Sequence, residues 1–334
     1  MEVLVTGGGG FLGSHVVRAL LERGHRVRSF ARGHYPELEA WGVATYQGDL
    51  AAGGRALEEA LKGAEAIVHC AAKAGVHGPA QEFERANHQG TLRLLEAARA
   101  SGVRKLVHTS SPSVCFDGRD HLQAGPDLPY AQRFLSPYPE SKARAERAVL
   151  AAHDPKGLCT LALRPHLIFG PGDPHLIPRL LERARAGRLI QVGRGDNEVS
   201  LTFVENAAWA HVLGVEQLGP DCPASGKAYF VGQTEAVRLW DWIGDLLRAL
   251  DLPPVRRRIP QGVAYALGAV CEGAYRVLGK QGDPPMSRFV ARQLATSHSY
   301  DMGPLERALG YQEQVPLAEA NRRTIAALLE QRKA

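Results

Sequence analysis

Tyr138 and Lys142 stand four residues apart and carry side chains that suit proton transfer. Residues at this spacing share one face of a helix, and the prolines of segment 136–142 fit the first turn of a helix. A phenol, whose ordinary pKa is about 10, can protonate a carbonyl oxygen during hydride transfer if that pKa falls. A nearby ammonium favours the phenolate, so we expect Lys142 to lower the pKa of Tyr138.

Two serines, Ser110 and Ser111, end the fifth predicted strand, residues 105–111. Ligands bind at the carboxyl ends of parallel strands, so a serine here is placed to donate a hydrogen bond to a substrate carbonyl. A cap or turn bond is the alternative role for either serine alone. The helix that begins near Tyr138 follows this strand, which places a serine, a tyrosine and a lysine at one edge of the sheet.

The chain opens with an apolar run at residues 1–5, followed by a cluster of glycines. Gly7, Gly10 and Gly13 suit a tight turn, close approach of the backbone to a pyrophosphate, and close packing of helix on strand. The helix predicted at 14–24 would direct its free amides at the phosphates. Strand, glycine turn and helix in this order predict the first half of a dinucleotide-binding unit, although the spacing is GxxGxxG rather than GxGxxG.

The end of the second predicted strand, residues 25–32, bears on the choice of cofactor. Units that prefer NAD place a carboxylate there to bind the ribose hydroxyls. This strand ends with Ala31 and Arg32 and has no carboxylate. An arginine attracts a 2′-phosphate and can bind it with two hydrogen bonds, so Arg32 favours NADP(H). A solvent-facing arginine is the alternative, and NAD(H) then remains open.

Strand and helix patterns alternate through the first half of the chain, which predicts an α/β fold with a doubly wound parallel sheet of Rossmann type. The predicted strands after the first are 25–32, 43–50, 64–72, 105–111 and 158–164. The predicted helices after the first are 54–62, 81–101 and 137–153.

The pattern loosens after residue 165, which predicts two units in the fold. A dinucleotide-binding domain covers 1–165, with sheet returns near 201–235, specifically at 201–215 and 228–231. A smaller, mostly helical substrate lobe covers 166–200 and 236–334. It begins with a helix at 176–187 and short strands at 189–204.

Composition narrows the class of protein. The chain has 334 residues, 45% of them hydrophobic and 22% charged, with a net charge of +5, as expected of a soluble globular protein. Five dispersed cysteines without a CxxC predict neither disulfides nor a metal site. The basic run 256–258 is typical of a solvated edge, so we expect no nucleic-acid partner.

The length of the apolar segments predicts whether the chain spans a membrane and where the protein is located. No apolar span approaches about 20 residues and no signal peptide precedes the first strand, which predicts a cytoplasmic protein without a membrane span. The segment 262–279 predicts a core or lid helix, and a surface for lipid or greasy substrates is the alternative.

Several motifs together resemble the extended short-chain dehydrogenases over nearly the whole chain. They are similar to the 3β-hydroxysteroid dehydrogenase group, and most similar to the bacterial 2-alkyl-3-oxoalkanoate reductases of long-chain olefin biosynthesis. The motifs are Thr6-Gly7-x-x-Gly10-Phe11-Leu12-Gly13, His69-x-Ala71-Ala72, Asn87-x-x-Gly90-Thr91, Ser110-Ser111, Tyr138-x-x-x-Lys142 and Arg164-Pro165-His166.

The resemblance implies a role for each matching residue. Ser111 would be the catalytic serine, with Ser110 and Ser113 as other registers, and Tyr138 the general acid. Lys142 would hold the cofactor ribose and tune Tyr138, while Asn87 would position its helix or relay protons. The remaining cofactor contacts would come from Gly7, Gly10, Phe11, Leu12, Arg32, Asp49, Leu50, Ala71, Ala72, Pro165 and His166, with Asp49 and Leu50 along the adenine and Pro165 and His166 near the nicotinamide.

The resemblance also implies a reaction. The chain would be an NADP(H)-dependent oxidoreductase that reduces the 3-keto group of a hydrophobic 2-alkyl-3-oxoalkanoic acid, and it would act as a homodimer. Alternatives are a 3β-hydroxysteroid dehydrogenase, a nucleotide-sugar epimerase or dehydratase, and a non-catalytic cofactor sensor. Residues that could bind a substrate carboxylate are His166, His175 and Arg179. Residues that could bind a sugar diphosphate are Arg179, Arg183, Arg185 and Arg188.

Overall fold

The computed structural model describes residues 1–280 and 282–332. The strands in chain order are β1 (Glu2–Thr6), β2 (Arg26–Ala31), β3 (Ala44–Gln47), β4 (Ala66–His69), β5 (Lys105–Thr109), β6 (His121–Ala124), β7 (Cys159–Pro165), β8 (Ile168–Phe169), β9 (Ile190–Val192), β10 (Glu198–Ser200), β11 (Thr202–Phe203), β12 (Lys227–Val231), β13 (Ala236–Arg238), β14 (Arg257–Ile259) and β15 (His298–Tyr300).

The helices in chain order are α1 (Phe11–Glu22), α2 (Pro36–Ala40), α3 (Arg55–Leu61), α4 (Ala80–Phe83), α5 (Gly90–Ala100), α6 (Pro137–Ala151), α7 (Leu176–Arg185), α8 (Val204–Gln217), α9 (Leu239–Ala249), α10 (Gln261–Val277), α11 (Arg288–Gln293), α12 (Gly303–Leu309) and α13 (Leu317–Gln331). A π-helical segment, Glu84–Gln89, joins α4 to α5, and a 3₁₀ turn, Pro112–Val114, follows β5.

The main sheet confirms the predicted fold class. Seven parallel strands lie in the order β12-β7-β5-β4-β1-β2-β3. The order reverses between β1 and β4, because β2 and β3 extend to one side and β5 and β7 to the other. Ligands of such sheets bind in the crevice at the carboxyl ends of the strands at this point.

Helices cover both faces of this sheet, and its strands are correspondingly apolar on both sides. Successive side chains of a strand point to opposite faces. On β1, Val3 and Val5 pack in one layer with α1 and α8, whereas Leu4 packs in the other layer with α3 and α5. This double coverage explains why β1, β4 and β7 are apolar runs in the sequence, whereas β2 and β3, nearer the sheet edge, contain polar residues.

A second core lies under the smaller sheets. Strands β13, β10, β15 and β6 form a four-stranded sheet, and β11 with β8 and β14 with β9 form two short pairs. Buried side chains of α7, α9 and β10, among them Ile177, Trp242 and Val199, belong to one cluster.

One element prediction is wrong. The prediction of a sheet return at 201–215 fails because only Thr202–Phe203 is a strand there and α8 occupies Val204–Gln217. This helix is buried on most of its faces, so its apolar residues form no helical stripe. The predicted helix at 81–101 is confirmed as a helical stretch made of α4, the π-helical segment Glu84–Gln89 and α5. The predicted return at 228–231 is confirmed by β12.

Within the described ranges, no helix combines the length and the apolar character needed to cross a bilayer.

Candidate active site

The glycine turn after β1 brings α1 close to the sheet edge. Gly7 has a φ of +72°, and a Cβ on it would lie 2.9 Å from backbone atoms of Ala71. A Cβ on Gly13 would collide with the carbonyl oxygen of Gly7. Only glycine fits both positions, so the turn is compact and its backbone is accessible.

The N-terminus of α1 is a suitable site for a pyrophosphate. Its N-cap is Gly10, whose lack of a side chain leaves the first-turn amides without a side-chain cap, and the first turn contains no acidic residue. Free amides and the positive end of the helix dipole favour an anion here. The backbone around Phe11 and Leu12 therefore fits the phosphates of a dinucleotide.

Two residues after the end of β2 bear on cofactor binding, Arg32 and Tyr35. The sequence analysis had not selected Tyr35. Arg32 is exposed, and its carbonyl accepts a hydrogen bond of 2.8 Å from Gln47. The ring of Tyr35 lies on the glycine turn, because a Cβ on Gly9 would overlap ring atoms of Tyr35. An aromatic ring four residues after a strand has no distinctive sequence signal.

Tyr138 lies in the first turn of α6, which begins where its prolines predict. Ser136 is the N-cap and accepts a hydrogen bond from the Tyr138 amide, with Pro137 as the first helical residue. The Ser136 hydroxyl also donates to the Val76 carbonyl at 2.6 Å. This bond ties the start of α6 to the loop after β4 and fixes the position of Tyr138.

Ser111 lies next to the Tyr138 hydroxyl, at the end of β5. Burial raises the pKa of Tyr138, and a hydrogen bond from Ser111 to the phenolic oxygen opposes that rise. Ser111 also accepts from the Ser113 hydroxyl at 2.9 Å. Ser110 is buried and its hydroxyl has no partner among the described residues. Of the three serines, Ser111 alone contacts the phenol.

Lys142 is buried one turn further along α6. Its Nζ donates to the Thr109 carbonyl at 2.6 Å and lies 3.5 Å from Nε2 of His108. Burial lowers the pKa of Lys142 to about 8, and Glu146 opposes that shift. Lys142 is not among the groups that shift the pKa of Tyr138. The ammonium is held at the end of β5 by the Thr109 carbonyl, and its influence on the phenol pKa stays a prediction.

Three neutral histidines surround the base of this site. Nδ1 and Nε2 of His69 bond the hydroxyls of Thr6 and Thr91 at 2.7 and 2.8 Å. Burial lowers the pKa of His69 to about 3 and that of His211 to about 4. Burial and the Lys142 charge also hold the pKa of His108 well below its usual value. Sequence analysis assigned these histidines no role, because strand residues give no indication of their partners on neighbouring elements.

The other predicted cofactor contacts lie along the same sheet edge. Asp49 accepts from the Ala51 amide at 3.0 Å and from Arg85 at 2.6 Å, and Leu50 is buried. Ala71 contacts Gly7, and Ala72 follows it in the loop after β4. Asn87 bonds both backbone groups of Lys73, a residue of that loop, at 2.6 and 3.1 Å. It thus positions the loop.

Pro165 ends β7, and His166 after it is committed to a buried pair. Nε2 of His166 lies 2.6 Å from Nδ1 of His298, and His298 in turn bonds the Gln293 carbonyl at 2.8 Å. The His166 amide also bonds the Thr202 hydroxyl at 3.0 Å. These bonds join the end of β7 to the second core.

A buried ion pair supports α6 beside the site. Arg164 donates two hydrogen bonds to Glu146, at 2.6 and 2.9 Å, and Tyr130 donates a third at 2.7 Å. Arg164 and Glu146 have side-chain exposures of 3% and 0%. The pair joins β7 to α6, the helix of Tyr138 and Lys142.

A cavity of about 410 Å³ opens beside the start of α6. It reaches Pro137, the residue before Tyr138, and the loop that contains His77. Basic side chains of Arg276, Lys280 and Arg288 line its far side. The cavity lining therefore combines apolar residues with these three basic side chains and with Glu272, and it adjoins the first residue of α6.

Two of the arginines that the sequence suggested for anion binding are engaged elsewhere. Arg179 pairs with Asp283. Arg183 donates to the Pro285 carbonyl at 2.6 Å, and burial lowers its pKa. Arg185 and Arg188 are exposed near the end of α7, and His175 is the N-cap of that helix.

Comparison with known proteins identifies the family. The model described as the 3-beta hydroxysteroid dehydrogenase/isomerase family matches residues 4–260. The chain belongs to this family. The resemblance seen in the motifs is thereby confirmed, and the match ends directly before α10.

Individual relatives narrow the comparison. A 2-alkyl-3-oxoalkanoate reductase of Stenotrophomonas maltophilia is 45% identical, with 98% of this chain and 99% of that protein covered. A protein of the same name from Shewanella oneidensis is 44% identical, with 98% and 86% covered. The sterol-4-alpha-carboxylate 3-dehydrogenase, decarboxylating, of Mus musculus is 37% identical, with 98% and 91% covered.

Solved structures agree with the fold. The structure of gox2253 is similar with a TM-score of 0.79 and 27% identity, covering 99% of this chain and 98% of that one. DesIV, a dTDP-glucose 4,6-dehydratase from Streptomyces venezuelae solved with NAD bound, has a TM-score of 0.76 and 27% identity, covering 100% and 98%.

The prediction of an enzyme is confirmed. This member of the 3-beta hydroxysteroid dehydrogenase family is an NAD(P)-dependent oxidoreductase that acts on CH–OH or C=O groups. The non-catalytic alternative is therefore set aside. The compact glycine turn and the uncapped N-terminus of α1 fit a dinucleotide.

Proposed function

We propose that this enzyme reduces the 3-keto group of a hydrophobic 2-alkyl-3-oxoalkanoic acid to the 3-hydroxy acid with NADPH. The observation that carries the proposal is the 45% identity to a protein of that named activity across 98% of the chain. In the reaction, a hydride adds to the carbonyl carbon and a proton adds to its oxygen. The products are the 3-hydroxy acid and NADP⁺.

The names of the relatives point to one substrate class. In a 2-alkyl-3-oxoalkanoate the carboxylate is on C2, beside the C3 carbonyl. A sterol-4-alpha-carboxylate likewise has its carboxylate on C4, beside C3. Both names therefore describe a β-oxo or β-hydroxy acid with a substituted carbon between the two groups. We infer that this enzyme acts on the same arrangement.

Tyr138 serves as the general acid in the proposed mechanism. Reduction requires a neutral phenol, and burial raises the Tyr138 pKa and so keeps it protonated. Ser111 contacts the phenolic oxygen and is placed to donate a second hydrogen bond to the substrate oxygen. A substrate carbonyl between these two hydroxyls would be polarised and then protonated by Tyr138.

Lys142 and the glycine turn hold the cofactor in this proposal. When bound, the reduced nicotinamide supplies the hydride. The N-terminal amides of α1 bind the pyrophosphate, and Lys142 is placed at the end of β5 to bond the ribose hydroxyls. Because Thr109 and His108 position its ammonium, Lys142 also places positive charge near the proton donor.

The preference for NADPH rests on Arg32. Its side chain is exposed at the end of β2, where a 2′-phosphate on the adenosine ribose would lie, and residues 31–35 contain no carboxylate to repel that phosphate. Asp49, the one acid among the predicted cofactor contacts, is paired with Arg85.

The cavity beside Pro137 is the proposed site for the acid and its alkyl chains. Arg276 and Lys280 line it without a carboxylate partner among the described ion pairs, whereas Arg288 is paired with Glu272. These two side chains replace His166, His175 and Arg179 as the best candidates for binding the carboxylate, since His166 and Arg179 are already engaged.

A sterol acid is the second candidate substrate, because the mouse sterol-4-alpha-carboxylate 3-dehydrogenase is 37% identical over 98% of the chain. The two candidates share the reacting groups and differ in the rigidity of the apolar part. The sequence of the cavity lining does not separate them, so the assay has to include both.

The decisive experiment measures oxidation of 2-alkyl-3-hydroxyalkanoates by NADP⁺ and NAD⁺, because the 3-hydroxy acids do not decarboxylate spontaneously. The parallel substrates are the methyl ester of the same acid and a 3β-hydroxysteroid with and without a 4-carboxylate. We expect turnover of the free alkyl acid with NADP⁺ preferred. Turnover restricted to the sterols would overturn the substrate, and turnover of none of these alcohols would overturn the proposal.

A further inference from the structure

Helix α10 carries an apolar face that is exposed along its whole length. Val263, Val270 and Val277 are 55%, 69% and 85% exposed, and Leu267 and the adjoining Leu278 are 45% and 65% exposed. We call these five residues the α10 face. Their spacing places them on one side of the helix, and the other exposed residues between them are Ala266, Ala269, Gly273, Ala274 and Arg276.

The opposite side of α10 is firmly packed, so the exposure is not a sign of a loose helix. Gly268 lies against α11, where a Cβ would be only 2.6 Å from the backbone of Ser287. Glu272 accepts hydrogen bonds of 2.7 Å from the amide and the guanidinium of Arg288. The α10 face is therefore held in a fixed orientation on the surface.

Basic residues flank this apolar surface. Between residues 256 and 280 the chain contains five basic residues and a single acid, Glu272, which is paired with Arg288. The basic residues are Arg256, Arg257, Arg258, Arg276 and Lys280. All five are exposed. The surface thus presents apolar side chains between positive charges at both ends.

One end of α10 adjoins the proposed substrate cavity. Tyr275, Arg276 and Lys280 line the same cavity that reaches Pro137 beside Tyr138. A surface bound by the α10 face would therefore lie next to the cavity entrance.

We propose that the α10 face docks on an anionic lipid surface and that the flanking basic residues bind its headgroups. An amphipathic helix lies in the membrane interface when it combines apolar side chains with Lys and Arg, and its binding grows with buried apolar area and anionic lipid. Docking would bring the cavity entrance to the acyl region of the membrane, where a lipid-like substrate would dissolve. This advantage rests on the proposed function. The docking itself does not depend on that substrate.

A second copy of the chain is the competing occupant, and charge disfavours it. In a two-fold contact the same patch faces itself. Antiparallel α10 helices would then place Arg256–Arg258 of one copy near Arg276 and Lys280 of the other. Like charges would meet at both ends, whereas anionic headgroups would neutralise them.

The test is co-sedimentation of the full-length protein with vesicles of phosphatidylcholine alone and of equimolar phosphatidylcholine and phosphatidylglycerol. We expect binding to the anionic vesicles and little to the neutral ones. The variant Val270→Glu/Val277→Glu should bind about tenfold less, and Arg256→Gln/Arg257→Gln should reduce binding by a similar factor. Leu122→Glu is the control, because Leu122 is 62% exposed outside the α10 face.

Light scattering and thermal unfolding of each variant complete the test. Absence of vesicle binding, equal binding to both kinds of vesicle, or full binding by the Val→Glu variant would overturn the proposal. A dimer that the Val→Glu variant converts to monomer, without vesicle binding by the parent, would assign the α10 face to a second copy and overturn it too. None of these measurements requires turnover, so failure of the proposed reaction would be seen separately.

Discussion

The sheet edge and helix α10 depart from ordinary burial in opposite directions. Around the site, charged groups are buried: Lys142 is 3% exposed, and Glu146 and Arg164 are hardly exposed at all. On α10, large apolar side chains are exposed, with Val277 at 85%. Each departure carries a free-energy cost when it is uncompensated.

The difference lies in where the compensation is found. At the sheet edge it is internal, since Arg164 pairs with Glu146 and Lys142 donates to the Thr109 carbonyl. At the α10 face no described side chain covers Val270 or Val277, so any compensation has to come from another molecule. Internal compensation makes the site rigid, and external compensation makes the surface a place for association. The following predictions test this contrast.

Replacing Tyr138 by Phe should have the largest effect. The variant loses the proton donor and keeps the ring, so we expect kcat to fall by about 10²–10⁴-fold with cofactor binding nearly unchanged. Steady-state kinetics and a fluorescence titration with NADPH measure the two quantities. Activity within a few-fold of the parent would mean that another group supplies the proton.

Breaking the buried ion pair should have the next largest effect, this time on stability. Arg164→Met leaves the Glu146 carboxylate buried without its partner, so the free energy of unfolding should fall by about 3–5 kcal/mol. The double variant Arg164→Met/Glu146→Leu should recover much of that loss. Urea unfolding measures both. A single variant that loses less than about 1 kcal/mol would show that water or Tyr130 can replace the arginine.

Arg32 tests the choice of cofactor. A hydrogen bond between an arginine and a phosphate contributes about 1.5–3 kcal/mol, so Arg32→Ala should raise KM for NADPH by about tenfold to hundredfold and leave KM for NADH unchanged. Arg93→Ala, an exposed arginine on α5, is the matched control. Equal effects on the two cofactors would remove the basis for an NADPH preference.

Lys142 gives a pH dependence whose sign is fixed by its burial. Burial lowers its pKa to about 8 from the ordinary lysine value of 10.5, so the free enzyme holds the ammonium below about pH 8 and loses it above. We expect kcat/KM to fall about tenfold per pH unit on the alkaline side. The Lys142→Arg variant carries an arginine that stays protonated at these pH values. Its kcat/KM should therefore not fall on the alkaline side, whatever the absolute activity of the variant.

Stability should move in the opposite direction over the same range. Between about pH 8 and 10.5 the unfolded chain holds the Lys142 proton and the folded chain does not. The contribution of this group to the free energy of unfolding therefore rises with pH. An activity loss accompanied by unfolding near pH 8 would contradict the assignment to Lys142.

The sheet lobe was predictable because its signals are local. The two strands at the switch point, β1 and β4, are apolar runs, and Gly7, Gly13 and the prolines around Tyr138 each fit one backbone position. Ser111 and Tyr138 were placed together because strand ends and helix starts meet at one edge of a parallel sheet. These inferences needed only the order of elements along the chain.

The failures all depend on contacts between distant segments. The sequence did not indicate that Lys142 bonds the carbonyl of Thr109, 33 residues away, because packing of α6 against β5 decides that contact. Helix α8 was assigned to a sheet because burial on most sides removes the periodic stripe of an amphipathic helix. Segment 262–279 contains apolar residues, but its sequence does not tell which side of the helix is buried. In the structure the side with Gly268 packs against Ser287 and Arg288.

The smallest expected effect comes from shortening an exposed valine on α10. Comparing it with the same change at a buried valine separates internal from external compensation most directly. Val107 is fully buried in the main sheet, so Val107→Ala should lower the free energy of unfolding by about 2 kcal/mol, through lost burial and the cavity that remains. Val270→Ala removes the same atoms from the exposed α10 face and should change stability by less than about 0.5 kcal/mol in dilute solution.

Added anionic vesicles should raise the stability of the parent more than that of Val270→Ala, since a ligand stabilises the state it binds. Urea unfolding with and without vesicles measures all of these values. A loss near 2 kcal/mol for Val270→Ala without lipid would mean that the α10 face is already covered in solution, which would return its compensation to the protein itself.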